Sequence, residues 1–209
     1  MTDIVLHYHD VVIRKADFDT LREGQWLNDT IIEFYMEYIE RELVPKDINY
    51  LFLRPGITHL IKFASEDVMD LIPALPPNMD QRQVVFIPIN DGNATQAYSG
   101  SHWSLMVYVK AMNTFYYYDS LQSSNRRQAE YTGRRTQPLL RVDREPQFIS
   151  MNTPQQKNGS DCGVYVIAII DTLLHQLLRH DKEMYVKEED VSLPKQVRQT
   201  MIGIIESNK

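Results

Sequence analysis

Three apolar runs in the middle of the chain constrain its fold more than any other feature. The runs "QVVFIPIN" (83–90), "HWSLMVYV" (102–109) and "TFYYYDS" (114–120) have the length and the β-branched and aromatic content of buried strands. The second and third runs are joined by "KAMN" (110–113), which predicts a hairpin. The chain is therefore expected to fold around a sheet, and a polar loop at residues 91–101 leads into the hairpin.

Amphipathic helices precede and follow the predicted strands. In "LNDTIIEFYMEYIEREL", for example, Ile31 and Tyr35 share one helical face. A further helical pattern at 124–140 is interrupted by Gly133 and Pro138. This order of elements indicates an α+β fold with a mostly antiparallel central sheet flanked by helices. Besides 124–140, the predicted helices are the segment quoted above (27–43) and residues 57–72, 162–178 and 192–207. The shorter predicted strands are 50–53 and 147–152.

The length of the chain and its single cysteine limit the kind of protein it can be. A chain of 209 residues can bury a sizeable core, and we expect residues 1–209 to form a single domain. One cysteine excludes an internal disulfide and any zinc site with several cysteine ligands. A free thiol fits a reducing, intracellular compartment, in the cytoplasm or the nucleus. The start of the chain, "MTDIVLHYHD", lacks the pattern of a secretory signal, so we do not expect secretion.

Charge and composition argue against several classes of partner. The net charge of −6 disfavours nonspecific binding to nucleic acid or to anionic membranes, so we expect neither as a partner. No apolar run approaches the length of a membrane span. His7 and His9 alternate in "LHYHD", but no further metal ligand stands near them. We therefore expect no metal site and no cofactor.

Two chemically active side chains flank the predicted hairpin, His102 at its start and Asp119 at its end. If the turn contains two or four residues, opposed positions have numbers that add to an odd value. His102 and Asp119 then lie on the same face and near the same end of the hairpin, directly opposed or on a diagonal. A carboxylate so placed fixes the histidine tautomer and stabilises its charged form. The alternative is an isolated histidine and a solvated aspartate that opens a turn.

The only cysteine, Cys162, stands at the predicted start of a helix, in "GSDCGVYVIA" (159–168). Ser160 or Asp161 suits the N-cap, and the unpaired N–H groups of the first turn favour a thiolate. Gly163 leaves the backbone accessible beside the sulfur. A cysteine at a helix start near a His/Asp pair is the signature of an activated thiol nucleophile. A lone cysteine is, however, more often a small buried apolar residue.

Other side chains could complete a site around this thiol. The amide of Gln156, or of its neighbour Gln155, could donate to a developing oxyanion together with the backbone N–H of Cys162. Spacing does not separate the two glutamines, and either suits an ordinary polar loop. The two tryptophans, Trp26 and Trp103, are large enough to form a slot that admits only glycine, although a single tryptophan is more often a core anchor.

Taken together, these residues resemble the Ulp/sentrin-specific cysteine protease family, which is related to the adenoviral protease. The resemblance rests on "WLNDTIIEFY" (26–35), "HWSLMVY" (102–108), "YYYDS" (116–120) and "PQQKNGSDCGVYV" (154–166). These motifs stand in the family's order and extend over most of the chain. The resemblance implies a papain-like, adenain-type cysteine protease fold.

The resemblance also implies a role for each candidate residue. His102, Asp119 and Cys162 would form a catalytic triad. Gln156, rather than Gln155, would line the oxyanion hole, because the family's glutamine stands six residues before its cysteine. The thiolate would attack the carbonyl of a terminal glycine, and water would then release the acyl-enzyme.

The substrate implied by the resemblance is a ubiquitin-like modifier. Trp26 and Trp103 would line the channel for its diglycine tail, and Asp29 would contact its globular part. Within the family the sequence is most similar to the deneddylases, which act on the Nedd-type modifier. That similarity rests on motifs that begin close to residue 1, on the long polar loop at 91–101 and on "YYYDSLQSSN". It predicts cleavage of Nedd-type conjugates, such as those of cullins, and trimming of precursor tails.

Some features depart from this reading or leave alternatives open. Residues 124–150 differ from the deneddylase pattern, and residues 91–101 could form either a lid over the tail or a plain connector. SUMO deconjugation is the nearest alternative, with the same mechanism and a different modifier. Acetyl transfer, as in related bacterial effectors, and a modifier-binding module without activity are the others.

Overall fold

The computed structural model describes residues 3–94, 100–180 and 183–209. Seven strands and six α-helices are formed by these residues. The strands are β1 (Ile4–Tyr8), β2 (Val11–Arg14), β3 (Tyr50–Phe52), β4 (Val84–Asn90), β5 (Trp103–Val109), β6 (Thr114–Tyr118) and β7 (Gln147–Ser150). The helices are α1 (Lys15–Asp19), α2 (Asp29–Tyr38), α3 (Pro55–Phe63), α4 (Arg126–Leu140), α5 (Cys162–Leu178) and α6 (Pro194–Ser207). In this part of the chain no helix is long and apolar enough to cross a membrane.

The predicted α+β fold is confirmed, with a five-stranded sheet at its centre in the order β3-β4-β5-β6-β7. The three central strands are antiparallel to one another, as expected. The outer pairs, β3 with β4 and β6 with β7, are parallel, so the sheet is mixed rather than mostly antiparallel. Each parallel pair is joined by a crossover that contains a helix, because two parallel strands cannot be linked by a tight turn.

The register of the central hairpin places His102 and Asp119 as the sequence predicted. Leu105 pairs with Tyr118 and Val109 with Thr114, so opposed positions have numbers that add to an odd value. The turn between them is a short 3-10 segment, Lys110–Met112, followed by a residue in the left-handed region. His102 immediately precedes β5 and Asp119 immediately follows β6, so the two residues lie at the same end of the hairpin.

Both faces of the sheet are buried, which explains why its strands are continuous apolar runs rather than alternating ones. One face, which includes Leu105 and Val107, packs with α2, α5 and α6. The other face, which includes Met106 and Tyr108, packs with α3 and α4. Helix α5 begins against the face that includes Leu105, and its first turn thereby meets the hairpin of β5 and β6.

Helix α4 spans most of the segment that the sequence left uncertain. Gly133 and Pro138 lie within it, and the helix continues to Leu140. Pro138 stands in the last turn, two residues before the helix ends at Leu140. Gly133 is buried against Met106 and Phe115, so the helix packs closely on the sheet at this position.

The hairpin of β1 and β2 was not predicted from the sequence. Its two strands are short, and its turn contains His9 in the left-handed region at a φ of 49° rather than a glycine or asparagine. The hairpin packs against α2, and Leu6 and Ile13 join the core there. It thereby supports the segment that carries Trp26 into the candidate site.

Candidate active site

His102 is held at the start of β5 by its backbone and by its ring. Its backbone N–H donates to Asp91 Oδ1 at 3.0 Å, and Ser101 donates to the same carboxylate. Its ring Nε2 lies 2.6 Å from Asp119 Oδ1. Both His102 and Asp119 are buried. The structure therefore makes the His/Asp pair that hairpin geometry predicted, as a diagonal pair.

Four donors surround the carboxylate of Asp119. Two of them are side chains, the His102 ring and the hydroxyl of Tyr117, which lies 2.6 Å from Asp119 Oδ2. The other two are the backbone N–H groups of Leu121, at 2.9 Å from Oδ1, and Asn125, at 3.0 Å from Oδ2. Both oxygens are thus fully engaged, and the carboxylate cannot rotate without losing hydrogen bonds.

Two further residues fix the pair from outside. Asn125 Nδ2 donates to the backbone carbonyl of His102 at 2.9 Å, so one buried residue contacts both members of the pair. Gln155, which the sequence offered as an alternative oxyanion donor, donates instead from Nε2 to the backbone carbonyl of Asp119 at 2.9 Å. The sequence analysis missed Asn125 and Tyr117. Alternation along β6 could have identified Tyr117, which lies two residues before Asp119 on the same face, whereas no sequence pattern indicated Asn125.

Cys162 is the first residue of α5, and its side chain is close enough to the ring of His102 to help raise the pKa of the ring. Both residues line the same cleft. The turn before the helix is fixed by Asn158, whose Oδ1 accepts from the backbone N–H groups of Ser160 and Asp161. Asp161 occupies the N-cap position but caps no backbone N–H with its side chain.

The electrostatics of the site favour a charged histidine. Burial alone would lower the pKa of His102, but the hydrogen bonds to Asp119 and Cys162 outweigh it and raise the pKa to about 9. Burial acts to raise the pKa of Asp119, yet its four donors hold that pKa below the usual range. The histidine and the carboxylate are therefore an imidazolium and an anion at neutral pH.

An open cleft of about 390 Å³ leads to the thiol. Trp26 forms part of its rim and is 51% exposed, whereas Trp103 is 6% exposed and donates from Nε1 to the Leu27 carbonyl at 3.2 Å. Cys162 is only 2% exposed, but it lines this cleft rather than a closed core. A Cβ on Gly163 would lie 3.0 Å from Leu27 Cβ, so the glycine allows the Trp26 segment to approach α5. Both tryptophans thus line the cleft that holds the thiol.

Asp29 lies at the start of α2 and also lines the cleft. Burial raises the pKa of its carboxyl, against a smaller opposing effect of a backbone hydrogen bond. Asn28, the N-cap of this helix, accepts from the Ile31 N–H and donates to Asp17, another residue of the cleft. The cleft therefore has an acidic side near Trp26.

Gln156 lies in the loop beside the Asp119 end of the sheet. Its Oε1 accepts from the Ser120 hydroxyl at 2.7 Å, and its Nε2 donates to the Asn158 carbonyl at 2.7 Å. These bonds place the amide in the turn that precedes Cys162. Gln155, by contrast, turns towards the backbone of Asp119. The structure thus separates two glutamines that spacing could not.

The predicted lid falls partly outside the described residues. Residues 95–99 of the 91–101 loop are among those not described. The described ends of the loop meet near the histidine: Asp91 accepts from Ser101, and Asn90 Oδ1 accepts from the Gly92 N–H.

A thiol beside an imidazolium and a buried carboxylate, at the floor of a cleft, is the arrangement of a nucleophilic cysteine. Residues 25–201 match the model of the Ulp1 protease family, C-terminal catalytic domain. The chain belongs to the Ulp1 protease family. The match covers every candidate site residue, from Trp26 to Cys162.

Two relatives are similar to this chain over most of their own length. Sentrin-specific protease 8 of Homo sapiens is 34% identical over 88% of this chain and 87% of its own. NEDD8-specific protease 1 of Arabidopsis thaliana is 31% identical over 97% of this chain and 92% of its own. The C-terminal protease domain of Ulp1, solved in complex with the yeast SUMO orthologue Smt3, superposes with a TM-score of 0.72 at 25% identity. That superposition covers 100% of this chain and 89% of the Ulp1 chain. The chain is a cysteine protease with the Ulp1 fold, as the sequence motifs predicted.

The hydroxyl of Tyr117 offers a direct test of the Asp119 environment. Replacing Tyr117 with phenylalanine should lower kcat about tenfold, since a hydrogen bond to a charged group contributes about 1.5–3 kcal/mol. The matched control is Tyr118→Phe, because Tyr118 is equally buried and its hydroxyl donates to the Met184 carbonyl at 2.6 Å. Tyr118→Phe should lower the melting temperature without lowering kcat. Equal losses of kcat in the two variants, measured by steady-state kinetics, would contradict the assignment.

Proposed function

We propose that this protease cleaves after the C-terminal diglycine of a Nedd-type ubiquitin-like modifier. The observation that carries the proposal is the thiol of Cys162 in one cleft with the imidazole of His102, whose Nε2 lies 2.6 Å from Asp119 Oδ1. This group lies at the floor of a cleft bordered by both tryptophans. Similarity to the NEDD8-specific protease of Arabidopsis thaliana over nearly the whole of both chains supports the choice of modifier.

The proposed mechanism gives each residue of the site one task. The imidazolium of His102, oriented by Asp119, holds the proton that the Cys162 thiol gives up, and the thiolate attacks the carbonyl carbon of the terminal glycine. The oxyanion is stabilised by the backbone N–H of Cys162, which has no partner within its helix, and by the amide of Gln156. The C–N bond then breaks as His102 protonates the leaving amine, and a thioester remains. Water, deprotonated by His102, attacks the thioester and releases the free modifier.

The cleft supports a preference for glycine. A tail that runs past Trp26 and Trp103 reaches Cys162 along the lining of this cleft, where two large indoles favour a residue without a side chain. We assign Trp26 and Trp103 to the tail and Asp29, at the mouth of the same cleft, to the globular part of the modifier. An isopeptide bond to a lysine and a peptide bond in a precursor would both reach the thiol in this way.

The wider setting follows from the same proposal. We propose that residues 1–209 act as one catalytic domain on Nedd-type conjugates, such as those of cullins. The proposed place of action is intracellular, in the cytoplasm or the nucleus, where the single thiol stays reduced. We propose that neither a metal nor a cofactor takes part, because the mechanism needs only the side chains named above.

A modifier panel tests the proposal. Fluorogenic C-terminal conjugates of a Nedd-type modifier, of SUMO and of ubiquitin are compared by kcat/KM at equal enzyme concentration. We expect the Nedd-type conjugate to be cleaved at least 100-fold faster than the other two. Faster cleavage of the SUMO conjugate would replace the proposal with its main alternative, which the similarity to Ulp1 bound to Smt3 favours. No cleavage of any conjugate, together with an acetyl-enzyme formed from acetyl-CoA, would favour acetyl transfer.

A further inference from the structure

Arg198 on helix α6 is a buried charge for which the mechanism gives no task. It is only 3% exposed, and it lies far along the chain from every residue of the proposed triad. Its guanidinium group makes four hydrogen bonds. Nη1 donates to the carbonyls of Thr20 at 2.9 Å and Arg22 at 3.0 Å, and Nη2 donates to the carbonyl of Gln25 at 2.7 Å and to Asp161 Oδ1 at 2.7 Å.

Two of these bonds reach the neighbours of two cleft residues. Gln25 immediately precedes Trp26, which forms part of the rim, and Asp161 immediately precedes Cys162. One nitrogen, Nη2, therefore links the residue before Trp26 to the residue before Cys162.

The carboxylate of Asp161 is committed to this contact. It is buried, its Oδ1 receives Arg198, and its Oδ2 receives Asn158 Nδ2 at 2.7 Å. A buried carboxylate that loses its only charged partner is strongly destabilised, so Asp161 and Arg198 hold each other in place. A lysine could not replace this function, because a single ammonium cannot form the planar fork that reaches several acceptors at once.

The turn that Arg198 contacts needs external support. Residues 20–25 connect α1 to the Trp26 segment without regular secondary structure, and Gly24 adopts a positive φ of 78°. Three of the carbonyls in this turn accept from the guanidinium group. Leu27, two residues after this turn, packs closely against Gly163 of α5.

We propose that Arg198 is a positioning residue that sets the spacing between Trp26 and Cys162, and thereby the selectivity of the cleft for glycine. Arg198 touches neither substrate nor thiol in this role; it acts through the backbone of Gln25 and through Asp161. The inference rests on the proposed function, because the selectivity for glycine is measured by the cleavage of a diglycine tail.

The test compares Arg198→Met with a matched arginine. Arg135 on α4 also donates to three backbone carbonyls, those of Ile61, Ser65 and Glu66, but it lies on the other side of the sheet and does not line the cleft. Both variants should lose thermal stability. Arg198→Met alone should lose about tenfold or more in kcat/KM, because small displacements of a site have large kinetic effects.

Selectivity gives the readout that a merely structural role would not change. Conjugates of the same modifier ending in Gly-Gly or in Gly-Ala are cleaved in parallel by each variant. The ratio of kcat/KM for the Gly-Gly conjugate to that for the Gly-Ala conjugate should fall about fivefold or more in Arg198→Met. It should stay at the native value in Arg135→Met. In Arg198→Lys it should be only partly restored. An unchanged preference in Arg198→Met would overturn the inference. If Arg198→Met does not fold, Arg198→Lys carries the same comparison.

A second measurement does not depend on any substrate. In a Trp103→Phe background Trp26 is the only tryptophan, and its fluorescence anisotropy reports how firmly the rim is held. Adding Arg198→Met should lower this anisotropy, and adding Arg135→Met should not. If the native protein cleaves no modifier conjugate, the proposed function fails, while the anisotropy still decides the role of Arg198. Equal anisotropy in all variants would contradict that role.

Discussion

Replacing Cys162 with alanine should abolish cleavage, with a fall in kcat of about 10⁶-fold, the scale seen when a nucleophile is removed. The reason is that the chain contains no second thiol that could take its place. The substituted side chain is small and lines an open cleft, so the variant should keep the native fold and its affinity for the modifier. Cleavage is followed with the fluorogenic conjugate, and affinity is measured by titration calorimetry.

The single thiol also supplies the control. Alkylation of the native protein with iodoacetamide should add one adduct per chain, by intact mass, and activity should fall in proportion to that adduct. Alanine at position 162 should prevent the adduct. Residual cleavage by the Cys162→Ala variant at a tenth of the native rate would show that the nucleophile lies elsewhere.

Replacing Asp119 with asparagine should lower kcat by about 10⁴-fold, as the loss of the orienting carboxylate does in other triads. Four donors point at the two oxygens of Asp119, one side chain and one backbone N–H at each. An asparagine amide turns its NH₂ either towards His102 and Leu121 or towards Tyr117 and Asn125. In the first orientation the His102 ring loses its acceptor, and in both orientations it loses the negative charge that stabilises the imidazolium.

The same substitution should change the pH dependence of cleavage. The pKa of His102 is raised to about 9 against the opposing effect of burial, and the hydrogen bond to Asp119 is the largest contribution that raises it. The His102 imidazolium, which supplies the proton to the leaving amine, is present below this pKa and is lost as the pH rises through it. Without the carboxylate the alkaline limb of the kcat/KM profile should move to lower pH.

Asp171 provides a control for the Asp119 substitution. It is a carboxylate on α5, the same helix as Cys162, and it accepts from the Tyr35 hydroxyl rather than from the histidine. Asp171→Asn should leave the alkaline limb in place. An unmoved limb in Asp119→Asn, or an equal shift in Asp171→Asn, would contradict the assigned source of the raised pKa.

Local rules were sufficient to predict much of the site. The parity of the hairpin placed His102 and Asp119 together, because side-chain direction in a strand alternates with every residue. The turn-like residues before Cys162 predicted a helix that begins there, and α5 begins at that residue. Both predictions depend only on residues that are close together in the sequence.

Features set by distant packing could not be predicted in this way. The parallel pairing of β3 and of β7 depends on where their crossovers lie against the sheet, which local patterns do not encode. Helix α4 continues through Gly133 because the sheet packs against it there. The partners of Asn125 and Arg198 lie on other elements, so each of these residues reads as an ordinary polar residue in the sequence.

The site combines groups from separate parts of the chain, and this has a consequence during synthesis. Trp26, His102 and Asp119 leave the ribosome before Cys162, and α5 must dock on the completed sheet before the sulfur meets the imidazole. An unfinished polypeptide thus carries the base without its nucleophile. On the proposed mechanism, proteolysis cannot begin until Cys162 has been synthesised and α5 has packed against the sheet.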